Sequence, residues 1–340
     1  MLPKNYAIKP GSRLLVTGAS GYIASHVVNI LLQLGYFVRG TVRTEKPWLD
    51  KFFADRYPKD RYESVIVPAM EEEDAFEKHM KDVAGIIHIA SDTTLRPEPG
   101  TVIPSVVAGT VNILKTAARH TSIKRVVLTS SSTAVLIPTP NERRSVDQNT
   151  WNDSVLKAAW SEAVPPEKKP YIVYAAAKTA AERQAWSWVA ENQPGFDFNV
   201  VVPNINFGRL LIPDVQAPTM RMTRNLLHGD SKAIKTFPPK WFVDVEDDAR
   251  IHVAALLDPT LKLERIFAFA APQNWTDVIG ILRKLRPGNK LIPDPPEDEG
   301  RDLTEVTPSK RAEELLWSFF GKKGWTNLEA SIAAGIEGTD

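Results

Sequence analysis

Arg13 to Thr17 is an apolar run that ends in Gly18, and from Tyr22 to Leu34 the apolar residues recur with helical period until Gly35 supplies a stop signal. Phe37 to Val42 is apolar again. The order predicts strand, glycine-rich turn, helix and strand, the opening βαβ unit of a doubly wound sheet. The alternation continues with strands at Ser64 to Val67, Gly85 to Ala90 and Arg125 to Thr129, and helices near Asp74 to Lys81 and Ile103 to His120. Buried strands joined by helices in this way form a parallel sheet.

Leu136 to Pro170, rich in Pro, Trp and charge, interrupts the alternation and is expected to wrap over a site. A helix from about Tyr174 to Glu191 and a strand from Phe198 to Val202 follow. Beyond Pro203 the pattern is irregular, and Pro-rich stretches at 212–218, 237–239 and 287–296 fit loops of a second lobe. The acidic run Glu71 to Asp74 reads as a solvated helix start.

Composition narrows the classes. Of 340 residues, 43% are hydrophobic and 24% charged, enough to bury a substantial core. Lys and Arg number 42 against 41 Asp and Glu, so no broad charge argues for a nucleic acid or a membrane surface. The chain contains no cysteine, which removes disulfides, thiol catalysis and thiolate metal sites. The histidines lack metal-ligand spacing, and no Gly-x-Ser-x-Gly elbow is present. Residues 1–13 are polar, and apolar runs such as Val27 to Leu32 are too short to span a bilayer. The expectation is a cytoplasmic protein with no nucleic-acid or membrane partner, and assembly into a homodimer is left open.

Thr17-Gly18-Ala19-Ser20-Gly21-Tyr22-Ile23-Ala24 lies between the first strand and its helix, where backbone N–H groups and the positive helix end hold a pyrophosphate. Gly18 permits the tight turn, Gly21 lets a phosphate approach, and Ala24 leaves room for helix against strand. Ser20, Tyr22 and Ile23 complete the cradle. A chain preferring NAD places an acid at the end of the second strand; here that place holds Arg43, whose planar fork suits a 2′-phosphate, with Lys46 in support. NADPH is the expected cofactor. The fold class is therefore α/β, with a dinucleotide-binding domain over 1–203 and a smaller C-terminal substrate lobe over 204–340, their boundaries interleaved.

Tyr174 is followed four residues later by Lys178, so the two share a helical face. A phenol with a pKa of roughly 10 is a poor base near neutrality, and a neighbouring ammonium favours its ionised form. Lys178 can also hold the nicotinamide ribose. Ser130, Ser131 and Ser132 follow Thr129 at the carboxyl edge of the sheet, where any one of them can hydrogen-bond a substrate oxygen or merely satisfy a strand end.

These motifs together resemble the extended short-chain dehydrogenase/reductases, and among them the dihydroflavonol reductase-like branch that includes fungal aldehyde and ketone reductases. The likeness runs through Gly40-Thr41-Val42-Arg43, His88-Ile89-Ala90-Ser91, Ala108-Gly109-Thr110, Leu128-Thr129-Ser130-Ser131, Pro203-Asn204, Val243-Asp244-Val245-Glu246-Asp247 and Gly324-Trp325-Thr326. It implies a Rossmann fold, with Ser131 as the catalytic serine, Tyr174 as acid/base and Lys178 as its electrostatic partner. It also implies that Ala90 passes the cofactor and that Pro203 opens the loop flanking nicotinamide. The family's Asp near the adenine is replaced by Ala69-Met70, leaving Met70 to cover the ring.

The implied reaction is NADPH-dependent reduction of an aldehyde or ketone, with a small, apolar or aryl-containing carbonyl compound as partner. A sugar-nucleotide epimerase or dehydratase uses the same Tyr and Lys but usually NAD, and Arg43 weighs against it. A non-catalytic NADP-binding redox sensor commonly loses the Tyr or the Lys, and both persist here. Trp241 and Phe242 are candidates for the substrate pocket or, equally, for the lobe interior.

Overall fold

The computed structural model describes residues 5–339; the first residues of the polar N-terminal stretch lie outside them. Seven parallel strands form the central sheet, ordered across it as Arg265–Ala268, Asp197–Pro203, Arg125–Thr129, Val83–His88, Arg13–Thr17, Phe37–Val42 and Tyr62–Ile66. The chain thus reverses direction across the sheet between Arg13–Thr17 and Val83–His88, the switch point at which doubly wound folds bind ligands. The doubly wound reading holds.

Burial on both faces explains why these strands are near-continuous apolar runs. Alternate residues point to opposite faces. Leu14, Val16, Ile87, Val127 and Val201 meet the helices Tyr22–Gln33 and Val245–Leu257 on one side. Leu15, Ile86, Val126, Leu128 and Val200 enter the core on the other. There Pro99–Ala118 packs along Lys169–Asn192 through Val102, Val106, Val173 and Ala177. Pro99–Ala118 is by length and composition apolar enough to cross a membrane, which corrects the expectation that no segment is long enough. Its buried face serves this helix pair.

Three expectations fail for physical reasons. The helix near Asp74 to Lys81 is only the 3₁₀ turn Glu77–His79. Asp74 and Asp82 take left-handed backbone with φ of 58° and 63°. The intervening N–H groups bond three residues back, as in His79 to Phe76 at 2.9 Å, while Phe76 and Met80 bury their side chains. The acidic run Glu71 to Asp74 is therefore an exposed turn. The region past Pro203 is less irregular than it reads. It holds the sheet Ala271–Gln273, Lys240–Asp244 and Ile205–Phe207, together with helices Pro218–Leu226, Trp275–Leu285, Ser309–Phe320 and Leu328–Gly335. The chain also returns from it to the main sheet at Arg265–Ala268.

Finally, Leu136 to Pro170 does not cover the cleft at the strand ends; none of its residues borders it. Val155 and Ala159 bury instead against the helix Lys169–Asn192. Asn152 donates to the carbonyl of Thr133 at 2.8 Å, so the insertion braces the loop after Thr129 from behind.

Candidate active site

A cleft of about 1090 Å³ opens at the carboxyl ends of the central strands. It brings together all of Gly18, Ser20, Gly21, Tyr22, Ile23, Arg43, Lys46, Met70, Ala90, Ser131, Tyr174, Lys178 and Pro203. The strand ends and helix starts that supply them are far apart in sequence and adjacent only through the sheet order.

Gly18 adopts φ of 69°, and a Cβ there would lie 3.2 Å from Ala90 Cα. Only glycine lets the turn pass so close to the neighbouring strand end. Thr17 fixes that approach. Its hydroxyl oxygen accepts from the N–H groups of Ile89 and Ala90, each at 3.0 Å, and lies 3.0 Å from His88 Nδ1. With two donors already on that oxygen, its own proton goes to the imidazole, which burial keeps neutral with a pKa pushed down to about 3. Thr41 adds a second clasp, accepting from Gly18 N–H at 3.1 Å. The helix beginning at Tyr22 has no acid in its first turn, so its positive end is not neutralised locally.

Tyr22 differs from the rest of this turn. Its ring is buried and its hydroxyl donates to Gly208 carbonyl at 2.5 Å, joining the first helix to the second lobe. The phenol is thus committed to that junction, leaving the backbone to face the cleft. Arg43 stands exposed after the second strand and forms no ion pair among the described residues. Lys46 is nearby and donates to Thr44 at 3.1 Å. Met70 packs where a Cβ on Gly109 would sit, 2.8 Å away, and Asn112 fastens the same turn through the carbonyl of Glu71 at 2.8 Å.

The three serines after Thr129 separate by partner. Ser130 donates to the buried carboxylate of Glu182, which pairs with Arg265 at 2.6 Å. Ser131 turns the other way. Its hydroxyl oxygen accepts from Thr133 N–H at 3.2 Å, and it hydrogen-bonds the phenol of Tyr174. Tyr174 is nevertheless held above its ordinary pKa, first by burial, with Ser131 opposing and Tyr171 adding to the rise. Burial thus outweighs any lowering by the groups around the phenol. Lys178 is only 7% exposed, and its ammonium donates to the carbonyl of Thr129 at 2.7 Å. Burial brings Lys178 down to about 8, with Glu182 opposing. The phenol is thereby a neutral proton donor, poised beside a serine and an ammonium.

The residues fit a phosphorylated dinucleotide. The Gly18–Gly21 turn brings backbone to the cleft wall with no side chain at either glycine, and the end of the second strand offers the cleft a guanidinium without an ion pair among the described residues. Trp241 and Phe242 do not border the cleft. Phe242 packs on Phe207 in the core, and Trp241 donates to Thr304 carbonyl at 3.2 Å. Sequence reasoning missed Lys240 and Tyr171, which do border it. Tyr171 was legible, three residues before Tyr174 on the same helical face; Lys240 carries no periodic signal.

Residues 14–267 match the family model described as "NAD dependent epimerase/dehydratase family". The chain belongs to that family. Its likeness to the extended short-chain dehydrogenase/reductases rests on this epimerase/dehydratase match and on relatives along the whole chain. The protein is 43% identical to ketoreductase adrE of Penicillium rubens over 98% of both chains. It is 37% identical to aldehyde reductase 2 of Sporidiobolus salmonicolor over 96% of both. Among solved structures, yeast methylglyoxal/isovaleraldehyde reductase Gre2, complexed with NADPH, superposes with a TM-score of 0.78 at 25% identity. The match covers 95% of this chain and 96% of that one. Within the epimerase/dehydratase family these relatives are reductases.

Proposed function

We propose that this chain reduces an aldehyde or ketone to the alcohol with NADPH, in a cytoplasmic setting and with a small carbonyl compound as partner. The observation that carries the proposal is the protonated Tyr174 phenol beside Ser131, in the cleft that Arg43 also borders. The names of the reductase relatives support it. The Gly18–Gly21 turn, Arg43, Lys46, Met70, Ala90, Lys178 and Pro203 would hold NADPH, which when bound would supply a hydride for the carbonyl carbon. Ser131 donates a hydrogen bond to the carbonyl oxygen and orients it toward Tyr174. Tyr174 gives its proton to that oxygen as negative charge develops there. The ammonium of Lys178 stabilises the phenolate left behind until solvent restores its proton.

Consumption of NADPH and of NADH on a panel of aldehydes and ketones tests this reading. The proposal requires turnover that is faster with NADPH. Tight NADPH binding with no turnover on any carbonyl compound would point to a sensor, and retained NAD with sugar-nucleotide turnover to an epimerase.

A further inference from the structure

Lys240 opens the strand Lys240–Asp244 and is 6% exposed, yet it borders the cleft. Its ammonium donates to the hydroxyl of Tyr171 at 2.9 Å. It lies 5.4 Å from the ring centre of Tyr171 and 5.8 Å from that of Phe237. Among the described residues it has no carboxylate partner. Arg265 and Arg125, also deeply buried, pair with Glu182 at 2.6 Å and with Asp197 at 3.4 Å, and the buried ammonium of Lys178 lies in the field of Glu182. An ammonium taken out of water without an anion is costly, and a ligand that brings the anion removes the cost.

The place of this ammonium relative to the chemistry follows from the helix Lys169–Asn192. Tyr171, Tyr174 and Lys178 are spaced three and four apart and form one stripe facing the cleft. Lys240 therefore stands one side chain beyond the proton donor, at the end of the stripe away from Lys178. Phe237 gives this region an apolar wall, and Met222 and Ile205 border the same cleft. Because the Tyr171 hydroxyl accepts from Lys240, its own proton is free to be donated to the same anion.

We propose that Lys240, with Tyr171, binds an ionised oxygen of the substrate, a carboxylate or the enolate of a 1,3-dicarbonyl, carried on an apolar body next to the carbonyl that is reduced. The inference rests on the reductase reading and narrows its substrate class.

The test uses NADPH and matched ketones that differ in charge: an aryl keto acid, its methyl ester and an enolised cyclic 1,3-diketone. The wild type is expected to favour the acid or the diketone over the ester by about tenfold or more in kcat/KM, chiefly through KM. Whichever of the two is favoured identifies the source of the anion. Lys240→Met is expected to lower that preference about 30-fold, while Lys240→Arg keeps most of it. Calorimetry supplies a second readout without turnover: an unreactive aryl carboxylate binds the NADP+-loaded wild type, and the Lys240→Met protein loses that binding. Equal use of acid, diketone and ester by the wild type, with no carboxylate binding, overturns the proposal. A preference in Lys240→Met within about threefold of the wild type does the same, because it is smaller than the loss of one charged hydrogen bond. Failure of every ketone to consume NADPH would sink the reductase reading instead, and the calorimetry would still decide the anion site.

Discussion

The ammonium of Lys178 donates to the carbonyl oxygen of Thr129 at 2.7 Å, so the helix that carries Tyr174 is fastened to the strand end that carries Ser131. The distance between the Tyr174 phenol and the Ser131 hydroxyl is set by this contact and by the short loop after Thr129. Both ends of it are buried.

Burial lowers Lys178 from 10.5 to about 8, which gives the pH dependence a definite sign. Reduction is expected to hold level below about pH 8 and to fall above it as the ammonium loses its proton. Stability moves the other way. Between about 8 and 10.5 the unfolded chain holds more protons at this site than the folded one. The wild type should therefore gain stability relative to Lys178→Met as pH rises through that window. A pH–rate profile and melting curves of both proteins check the two signs.

Tyr174→Phe keeps the ring and removes the proton donor. Turnover is expected to drop by roughly two to four orders of magnitude, with NADPH affinity and melting temperature close to wild type. Near-normal turnover in this variant would remove Tyr174 from the mechanism.

Arg43 is exposed, so the contact proposed for it with a 2′-phosphate would be partly screened by water. Arg43→Ala is expected to weaken NADPH about tenfold and to leave NADH almost unchanged. Titration with both cofactors separates this from a structural role, in which both affinities would fall together.

Phe242 is 1% exposed and packs on Phe207, which settles its place in the lobe interior. Phe242→Ala is expected to cost about 3 to 5 kcal/mol of stability. The ranking of small and large ketones should stay as in the wild type. Denaturant unfolding and paired kcat/KM values give the two readings.

What the sequence reveals follows from how its residues are buried. Val126, Val127 and Leu128 enter cores on both faces of the sheet, so their run is unbroken and easily seen. The glycine turn is legible because Gly18 must take a positive φ beside Ala90. Phe76 and Met80 have helical spacing but sit in a 3₁₀ turn bounded by left-handed aspartates, a local choice that periodicity does not encode. Ser130, Ser131 and Ser132 are indistinguishable as letters. Their partners, Glu182 for one and Tyr174 for the next, come from a helix some fifty residues away. Lys240 was hidden for the same reason: its hydrogen-bonding side-chain partner among the described residues, Tyr171, lies 69 residues earlier.

Arg265 bears on the order in which the molecule is made. Its guanidinium pairs with Glu182, accepts cover from the Trp151 ring at 3.9 Å, and donates to the carbonyl of Thr150 at 2.6 Å. Glu182 in turn holds Ser130, the residue before Ser131. While the chain is being synthesised, everything up to Pro203 emerges before this arginine does. Until it arrives, Glu182 lacks its ion-pair partner, and the loop bearing Ser131 lacks its rear support. The strand bearing Arg265 is the last of the main sheet in chain order, so the support behind Ser131 is complete only once it is added. A chain ending before Arg265 is expected to leave Glu182, and through it the loop bearing Ser131, without this support.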